Sequence, residues 1–146
     1  MAPRRIRDLI SGRLHLLPGS AKVMAAAELM TEHHIGAVLV MEDGELKGIF
    51  TERDALNRVM AAGRDPSTTL LCDVMTKRPT TISPDAMATH AILMMKDAGF
   101  RHLPVVEKGP GNAMKVLGII SLRDFLGAEL QEADAHIDFL TKIAEG

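Results

Sequence analysis

The sequence predicts a mixed α/β (α+β) fold in which two β-α-β-β-α units follow one another along the chain. The heptad Gly48–Asp54, Gly-Ile-Phe-Thr-Glu-Arg-Asp, recurs as Gly118–Asp124, Gly-Ile-Ile-Ser-Leu-Arg-Asp. Around each copy, short β-branched runs alternate with segments that carry apolar residues at helical spacing. Since a unit of about 60 residues buries too little surface to be comfortably stable alone, we expect the repeats to pack about a pseudo-two-fold axis through their sheets.

The first repeat, with its lead-in helix, is expected over residues 5–63. The apolar run that starts at Ala37 is short and β-branched, which is typical of a buried strand. Ser20 is the expected N-cap of the first long helix, and Asp43-Gly44 carries the hairpin turn signal. The predicted elements are, in order, lead-in helix 6–10, strand 14–17, helix 21–33, strand 37–41, strand 46–50 and helix 51–62.

The second repeat, with its own lead-in helix, is expected over residues 70–127. Its predicted elements are lead-in helix 70–75, strand 80–82, helix 85–98, strands 103–106 and 116–120, and a helix from about 122. A C-terminal helical extension over 128–146 has no counterpart in the first repeat. The apolar stripe of this extension needs a partner, and it predicts a homodimer; its members are Leu130, Ile137 and Leu140.

Composition and charge exclude several classes of function. The formal net charge is −2, and the aromatic residues are four Phe without Trp or Tyr, so neither a basic nucleic-acid face nor a base-stacking platform is predicted. No apolar run is long enough to cross a membrane. The basic N-terminus lacks the apolar core of a secretion signal. With Cys72 as the single cysteine, we expect a cytoplasmic protein without disulfides.

The repeated junction carries the chemistry of a nucleotide site. A helix is expected to begin at Thr51, with several backbone N–H groups free to bind an anion. Thr51 adds a hydroxyl, Arg53 a guanidinium, and Asp54 a carboxylate that can accept hydrogen bonds from a vicinal diol. Phosphate and ribose diol together are the pattern of a nucleotide. The second junction repeats these groups in Ser121, Arg123 and Asp124.

A capping box is the alternative interpretation of both junctions. Thr-x-x-Asp and Ser-x-x-Asp also satisfy backbone donors at a helix start, although a cap alone does not require the arginine. The two interpretations stay open on the sequence. The pair His33-His34 lacks further metal-ligating residues at suitable spacing, so we expect a polar helix end and no metal site. The sequence shows no Ser/His/Asp or Cys/His arrangement of the kind used in nucleophilic catalysis.

Over residues 5–127 the chain resembles a stand-alone, bacterial-type tandem pair of CBS domains, also called a Bateman module. Three motifs carry the resemblance. The first is Gly-h-h-[Thr/Ser]-x-x-Asp, where h is apolar, at the end of both repeats. The second is Asp-Val-Met-Thr at 73–76, before the second repeat. The third is Arg-His-Leu-Pro-Val-Val at 101–106.

The resemblance implies binding of an adenosyl ligand, with AMP as the first candidate and ATP, ADP, NAD or S-adenosylmethionine as others. It implies phosphate contacts from Thr51 and Ser121, and ribose contacts from Asp54 and Asp124. Adenine would lie near Thr76 in one site and near Ile10 in the other. The second site would also be served by two segments, Arg101-His102-Leu103-Pro104 and Ile35-Gly36-Ala37. The first repeat lacks the Arg-His pair, which predicts a weaker first site.

We therefore expect a regulatory adenosyl-ligand-binding module without catalysis, acting on an unidentified regulated protein. Two other functions remain open on the sequence. One is an enzyme that acts on a bound nucleotide, although the junction offers no evident general base or metal set. The other is a structural dimerisation module with vestigial sites.

Overall fold

The computed structural model describes residues 4–10 and 14–125. The contacts divide the chain into two compact units: residues 14–80 form the first unit, and residues 4–10 with 81–125 form the second. Each lead-in thus packs with the other repeat, an exchange that the repeat boundaries 5–63 and 70–127 do not describe. The extension predicted over 128–146 lies outside the described residues, as do the apolar stripe within it and most of the helix expected from 122.

A four-stranded sheet forms the centre of the first unit. Its strands are, in spatial order, β1 (Leu16–Leu17), β2 (Ala37–Glu42), β3 (Glu45–Thr51) and β4 (Thr76–Lys77). β1 runs parallel to β2, and the other two pairs are antiparallel. The hairpin between β2 and β3 turns at Asp43 and Gly44, which both have positive φ, as the Asp-Gly signal predicts. β4 was not predicted; it extends the sheet because the second lead-in continues from Leu71 through Lys77 and pairs there with β3.

Three helical segments cover the apolar face of this sheet. They are α1 (Val23–His33), α2 (Glu52–Asp54) with a π-helical continuation over Ala55–Met60, and α3 (Leu71–Val74). Their shared core is formed by Val23, Ala26, Met30, Val38, Val40, Phe50, Val59, Leu71, Val74 and Met75. The sequence predicted one α-helix over 51–62, whereas only the first turn is α-helical.

The start of α1 differs from the prediction. The helix begins at Val23 after Lys22, so Ser20 is not its N-cap. The N–H groups of Val23 and Met24 donate instead to the carbonyl oxygens of Thr69 (2.9 Å) and Pro66 (3.0 Å). These carbonyls of the inter-repeat linker take the place of a capping side chain.

The second unit contains α4 (Ala88–Ala98) and a two-stranded antiparallel sheet, β5 (His102–Lys108) and β6 (Met114–Ser121). Single 3-10 turns lie at Ile6–Leu9, Pro110–Asn112 and Leu122–Asp124. α4 begins at Ala88 rather than at residue 85, and the N–H of Ala88 donates to the carbonyl of Arg4 in the exchanged lead-in (2.9 Å). The core consists of Ile6, Ile82, Ala88, Ala91, Ile92, Met95, Leu103, Val105, Ile120 and Phe125.

The predicted strand 80–82 is wrong, because only Ile82 pairs with β5. Its N–H donates to the carbonyl of Pro104, and its carbonyl accepts from Val106. To continue this parallel ladder back to residue 80, the N–H of Pro104 would have to donate. To continue it forward to residue 84, the N–H of Pro84 would have to donate. Proline has no N–H, so the ladder stops after one residue on both sides.

Candidate functional site

The first junction is a capping box at the end of β3. The hydroxyl of Thr51 accepts a hydrogen bond from the backbone N–H of Asp54 (3.2 Å), and the N–H of Thr51 donates to Oδ2 of Asp54 (3.0 Å). The Thr51 hydroxyl also lies 3.2 Å from Oδ2. The capping interpretation therefore describes real contacts.

The carboxylate of Asp54 is buried and has two further partners. Its side chain is 8% exposed. The hydroxyl of Thr76, from the second lead-in, donates to Oδ1 at 3.1 Å and approaches Oδ2 at 3.4 Å. Nε of Arg58 lies 3.6 Å from Oδ1, and Nη1 of Arg58 donates to the carbonyl of Met75 (2.8 Å). Asp54 thus joins the helix start to the lead-in.

The second junction repeats the capping box in a more open setting. The N–H of Ser121 donates to Oδ2 of Asp124 (2.7 Å), and its hydroxyl lies 3.2 Å from the same oxygen. Asp124 is exposed, unlike Asp54. His102 is the cross-strand partner of Ser121 in the antiparallel register. A hydroxyl, a carboxylate and an imidazole-bearing residue therefore meet at this end of the sheet.

The backbone donors at the helix starts are partly occupied, contrary to the expectation that they are free. The N–H of Glu52 donates to the carbonyl of Gly36 (3.0 Å), and the N–H of Leu122 donates to the carbonyl of Arg101 (2.9 Å). The N–H of Asp54 is taken by Thr51. In each unit, the residue that precedes the first hairpin strand satisfies the helix start, so neither junction offers a bare row of N–H groups.

The first glycine of each heptad makes room for a lead-in. A Cβ on Gly48 would lie 2.5 Å from Sδ of Met75 and 2.8 Å from the carbonyl oxygen of Thr76. A Cβ on Gly118 would lie 2.5 Å from Cγ2 of Ile10. The absence of a side chain at these positions lets Thr76 and Ile10 reach the sheet beside their junctions.

The other predicted site residues fall into two groups. In the first unit, Ala37 pairs with Thr51 across the sheet, and Ile35 and Gly36 precede it. In the second unit, Leu103 and Pro104 are buried in β5, and Arg101 is exposed at its start. Arg53 and Arg123 are exposed beside their junctions.

Arg58, the arginine that contacts Asp54, was not among the predicted site residues. Arg53, one residue before Asp54, was predicted because that arginine recurs in both heptads. The overlooked signal is the spacing, since an acid and an arginine at i and i+4 are neighbours on a helix surface.

An ion cluster attaches the first lead-in to the second unit. Nη2 of Arg7 contacts Oδ1 of Asp85 (3.3 Å) and Oε1 of Glu107 (3.1 Å). Hydrogen bonds to Glu107 and then to Asp85 raise the pKa of the Arg7 guanidinium above its ordinary value. The guanidinium stays charged, and the cluster holds Ile6 and Ile10 near the sheet.

Residues 4–10 and 14–125 contain neither a metal-binding cluster nor a membrane-spanning helix. No group of three or more His, Cys, Asp or Glu side chains is placed to hold a metal ion. No helix in this part of the chain is long and apolar enough to cross a membrane.

A separate cleft of about 740 Å³ lies at the hairpin end of β3, away from Thr51, and includes Glu42, Lys47, Cys72 and Arg78 in its lining.

Comparison with known proteins places the chain in a family. Residues 6–61 and 71–131 match the CBS domain, and the chain belongs to the CBS domain family. The predicted tandem repeat and the α+β class are confirmed.

Three relatives illustrate the match. The mitochondrial CBS domain-containing protein CBSX3 of Arabidopsis thaliana is 32% identical over 130 residues, which cover 85% of this chain and 60% of that protein. A solved protein with CBS domains from Burkholderia ambifaria is 30% identical with a TM-score of 0.71, covering 77% of this chain and 79% of that one. The CBS domain pair of protein MJ0100, solved with 5′-methylthioadenosine and S-adenosyl-L-methionine, is 22% identical with a TM-score of 0.71, covering 84% and 93%.

The chain spans 60% of the first curated relative and 59% of an uncharacterised Methanopyrus kandleri relative. At 22% identity, the likeness to the MJ0100 pair shows the fold alone.

Proposed function

We propose that this chain is a regulatory module that binds an adenosyl compound at its strand-to-helix junctions and does not transform it. The observation that carries the proposal is the paired hydroxyl and carboxylate that recurs at the end of β3 and of β6. The carboxylate accepts hydrogen bonds from a ribose diol, and the hydroxyl donates to a phosphate. AMP is the first candidate ligand, followed by ATP, ADP, NAD and S-adenosylmethionine.

The second junction is the stronger candidate site. Asp124 is exposed, whereas Asp54 is buried among the chain's own donors. His102 lies opposite Ser121, and exposed Arg101 precedes it, so positive charge and donors stand beside the hydroxyl that would contact phosphate. The first junction has Gly36 and Ala37 at the corresponding place. The adenosyl ligands in the MJ0100 complex agree with this ligand class.

Titration calorimetry with AMP, ATP, ADP, NAD and S-adenosylmethionine at one salt concentration tests the proposal. We expect a dissociation constant in the micromolar range, about −8 kcal/mol. At a hundredfold excess over that constant, the ligand stabilises the folded state by about 2.7 kcal/mol, which a thermal melt detects. If none of these compounds changes the melting temperature at millimolar concentration, the sensor function is wrong.

The same samples separate the proposal from catalysis. Chromatography of each compound after prolonged incubation with the protein should return it unchanged. Stoichiometric conversion to a new species would instead support the nucleotide-acting enzyme. A protein that neither binds nor converts any of them would be a structural dimerisation module.

We further propose that the module is a homodimer in a reducing cytoplasm, where it acts on a target protein. Large apolar side chains support association. Leu56 and Met60 are 56% and 73% exposed and lie one turn apart on the π-helical segment. Neighbouring apolar side chains at the surface favour a protein interface.

A further inference from the structure

The contacts of Asp54 differ from those that an open diol site requires. Its carboxylate receives the N–H of Thr51 at 3.0 Å and the hydroxyl of Thr76 at 3.1 Å, with the Thr51 hydroxyl at 3.2 Å. An ionised carboxylate has about four lone-pair directions. Three donors and the neighbouring guanidinium of Arg58 therefore use most of its accepting capacity.

Thr76 is the member of this set that a ligand would have to replace. The contact from the Thr51 N–H belongs to the capping box within the junction and depends on the helix start itself, and the Thr51 hydroxyl is the group proposed to turn to phosphate. The contact from Thr76 comes from a separate segment, β4. Its hydroxyl reaches both carboxylate oxygens, at 3.1 and 3.4 Å, as one hydroxyl of a diol would.

The neighbouring contacts hold Thr76 in this position. Arg58 approaches Asp54 with Nε and donates from Nη1 to the carbonyl of Met75, the residue before Thr76. β4 pairs with β3 at two positions, Thr76 with Ile49 and Lys77 with Gly48. The missing side chain at Gly48 allows this close approach.

We propose that Thr76 determines the ligand affinity of the first junction, because its hydroxyl competes with a ribose diol for Asp54. The inference rests on the proposed function, since it presumes an adenosyl ligand. A ligand at the first junction displaces the Thr76 hydroxyl and so breaks a contact between the junction and the lead-in 71–77. Ligand binding at the first junction should therefore increase the mobility of the second lead-in.

Thr76→Val, which keeps the shape but removes the hydroxyl, tests the inference against Thr76→Ser, which keeps the hydroxyl. AMP is titrated calorimetrically into wild type and both variants, each also in an Asp124→Ala background that isolates the first junction. We expect Thr76→Val to tighten AMP binding at the first junction about tenfold, the effect of losing one competing hydrogen bond to a charged group. Thr76→Ser should stay within about twofold of wild type.

A ligand-independent measurement checks the contact itself. Urea unfolding of Thr76→Val, Asp54→Asn and the double variant forms a double-mutant cycle. A coupling between the two positions supports the contact in solution, and its absence overturns the inference. If the Asp124→Ala background fails to fold, the number of AMP sites per chain in the single variants replaces it.

The outcomes separate the two proposals. AMP binding that is unchanged by Thr76→Val overturns the role of Thr76 and leaves the sensor function standing. Failure of every adenosyl compound to bind wild type and all variants overturns both. If AMP binds more tightly to Thr76→Val but not to Thr76→Ser, and if the double-mutant cycle shows coupling between Thr76 and Asp54, both the sensor function and the role of Thr76 are supported.

Discussion

The carbonyl oxygen of Thr76 lies 2.8 Å from the point where a Cβ on Gly48 would be. A Cβ essentially never comes this close to a backbone atom, and the neighbour cannot rotate away. Gly48→Ala should therefore displace β4 and destabilise the fold by about 1–3 kcal/mol, the usual cost of overpacking. Urea unfolding measures this loss. Met75→Leu in the same background should not restore stability, because the Thr76 carbonyl remains in place.

Gly118→Ala is the matched substitution in the second unit, and we expect a smaller loss. Here the close neighbour is Cγ2 of Ile10, the end of a side chain that can turn. Replacing glycine in a strand interior also gains about 0.5–1 kcal/mol of backbone entropy. Ile10→Leu removes the Cγ2 atom that would meet the new Cβ, so it should restore the stability lost in Gly118→Ala. A loss at Gly118 equal to that at Gly48 would contradict the distinction between side-chain and backbone contact.

Local sequence signals predicted much of the fold. The heptad repeat located both junctions, and the Asp43-Gly44 pair located a turn in which both residues have positive φ. Both signals are local, since they depend on residues that are adjacent in the chain. The capping boxes at Thr51 and Ser121 were visible for the same reason.

Contacts between distant segments were not predictable in this way. Nothing near Ser20 shows that Thr69 and Pro66 supply acceptors for the start of α1. The exchange of lead-ins, which brings Thr76 to Asp54, depends on residues far apart in sequence. The short strand expected at 80–82 failed because its partner strand contains Pro104. The sequence thus predicted which residues belong to the candidate site, whereas the contacts of Asp54 with Thr76 and Arg58 are visible only in the structure.

Arg7→Gln should loosen the first lead-in from the second unit. The pKa of Arg7 is raised, so its contribution to stability is fully present through neutral and mildly alkaline pH and is lost only as the pH rises through the folded-state pKa. Mild alkali therefore leaves the cluster intact, whereas salt screens these exposed charges. Hydrogen exchange over residues 4–10 should become faster in Arg7→Gln, and high salt should speed exchange in wild type but hardly in the variant. Equal salt sensitivity of both proteins would rule out an electrostatic role for Arg7.

Leu56→Ser with Met60→Ser should weaken the proposed homodimer. Both side chains are largely exposed and lie one turn apart, so their loss removes apolar area from an interface without opening a core. Light scattering over a range of protein concentrations should show a shift from dimer towards monomer. Met114→Ser, at a similarly exposed position on β6, is the control and should leave the mass unchanged. A wild-type protein that is monomeric throughout would refute the homodimer.

Asp124→Ala and Asp54→Ala should separate ligand binding from helix capping. Asp124→Ala removes two hydrogen bonds between a diol and a charged acceptor, each worth about 1.5–3 kcal/mol. Adenosyl-ligand affinity at the second junction should fall at least tenfold, whereas the lost cap costs about 1 kcal/mol of stability. Asp54→Ala should cost more stability and less ligand affinity, because Asp54 is buried and contacts Thr76 and Arg58.

We expect Asp54→Ala to lose about 2–4 kcal/mol of stability, combining the cap with the hydrogen bond from Thr76, and to weaken overall ligand binding less than Asp124→Ala does. Calorimetry gives the affinities and urea unfolding the stabilities of the same preparations. Equal losses of affinity in the two variants would contradict the ranking of the second junction above the first. Unchanged affinity in both would mean that the two carboxylates serve only as caps, since a capping role predicts a change in stability alone.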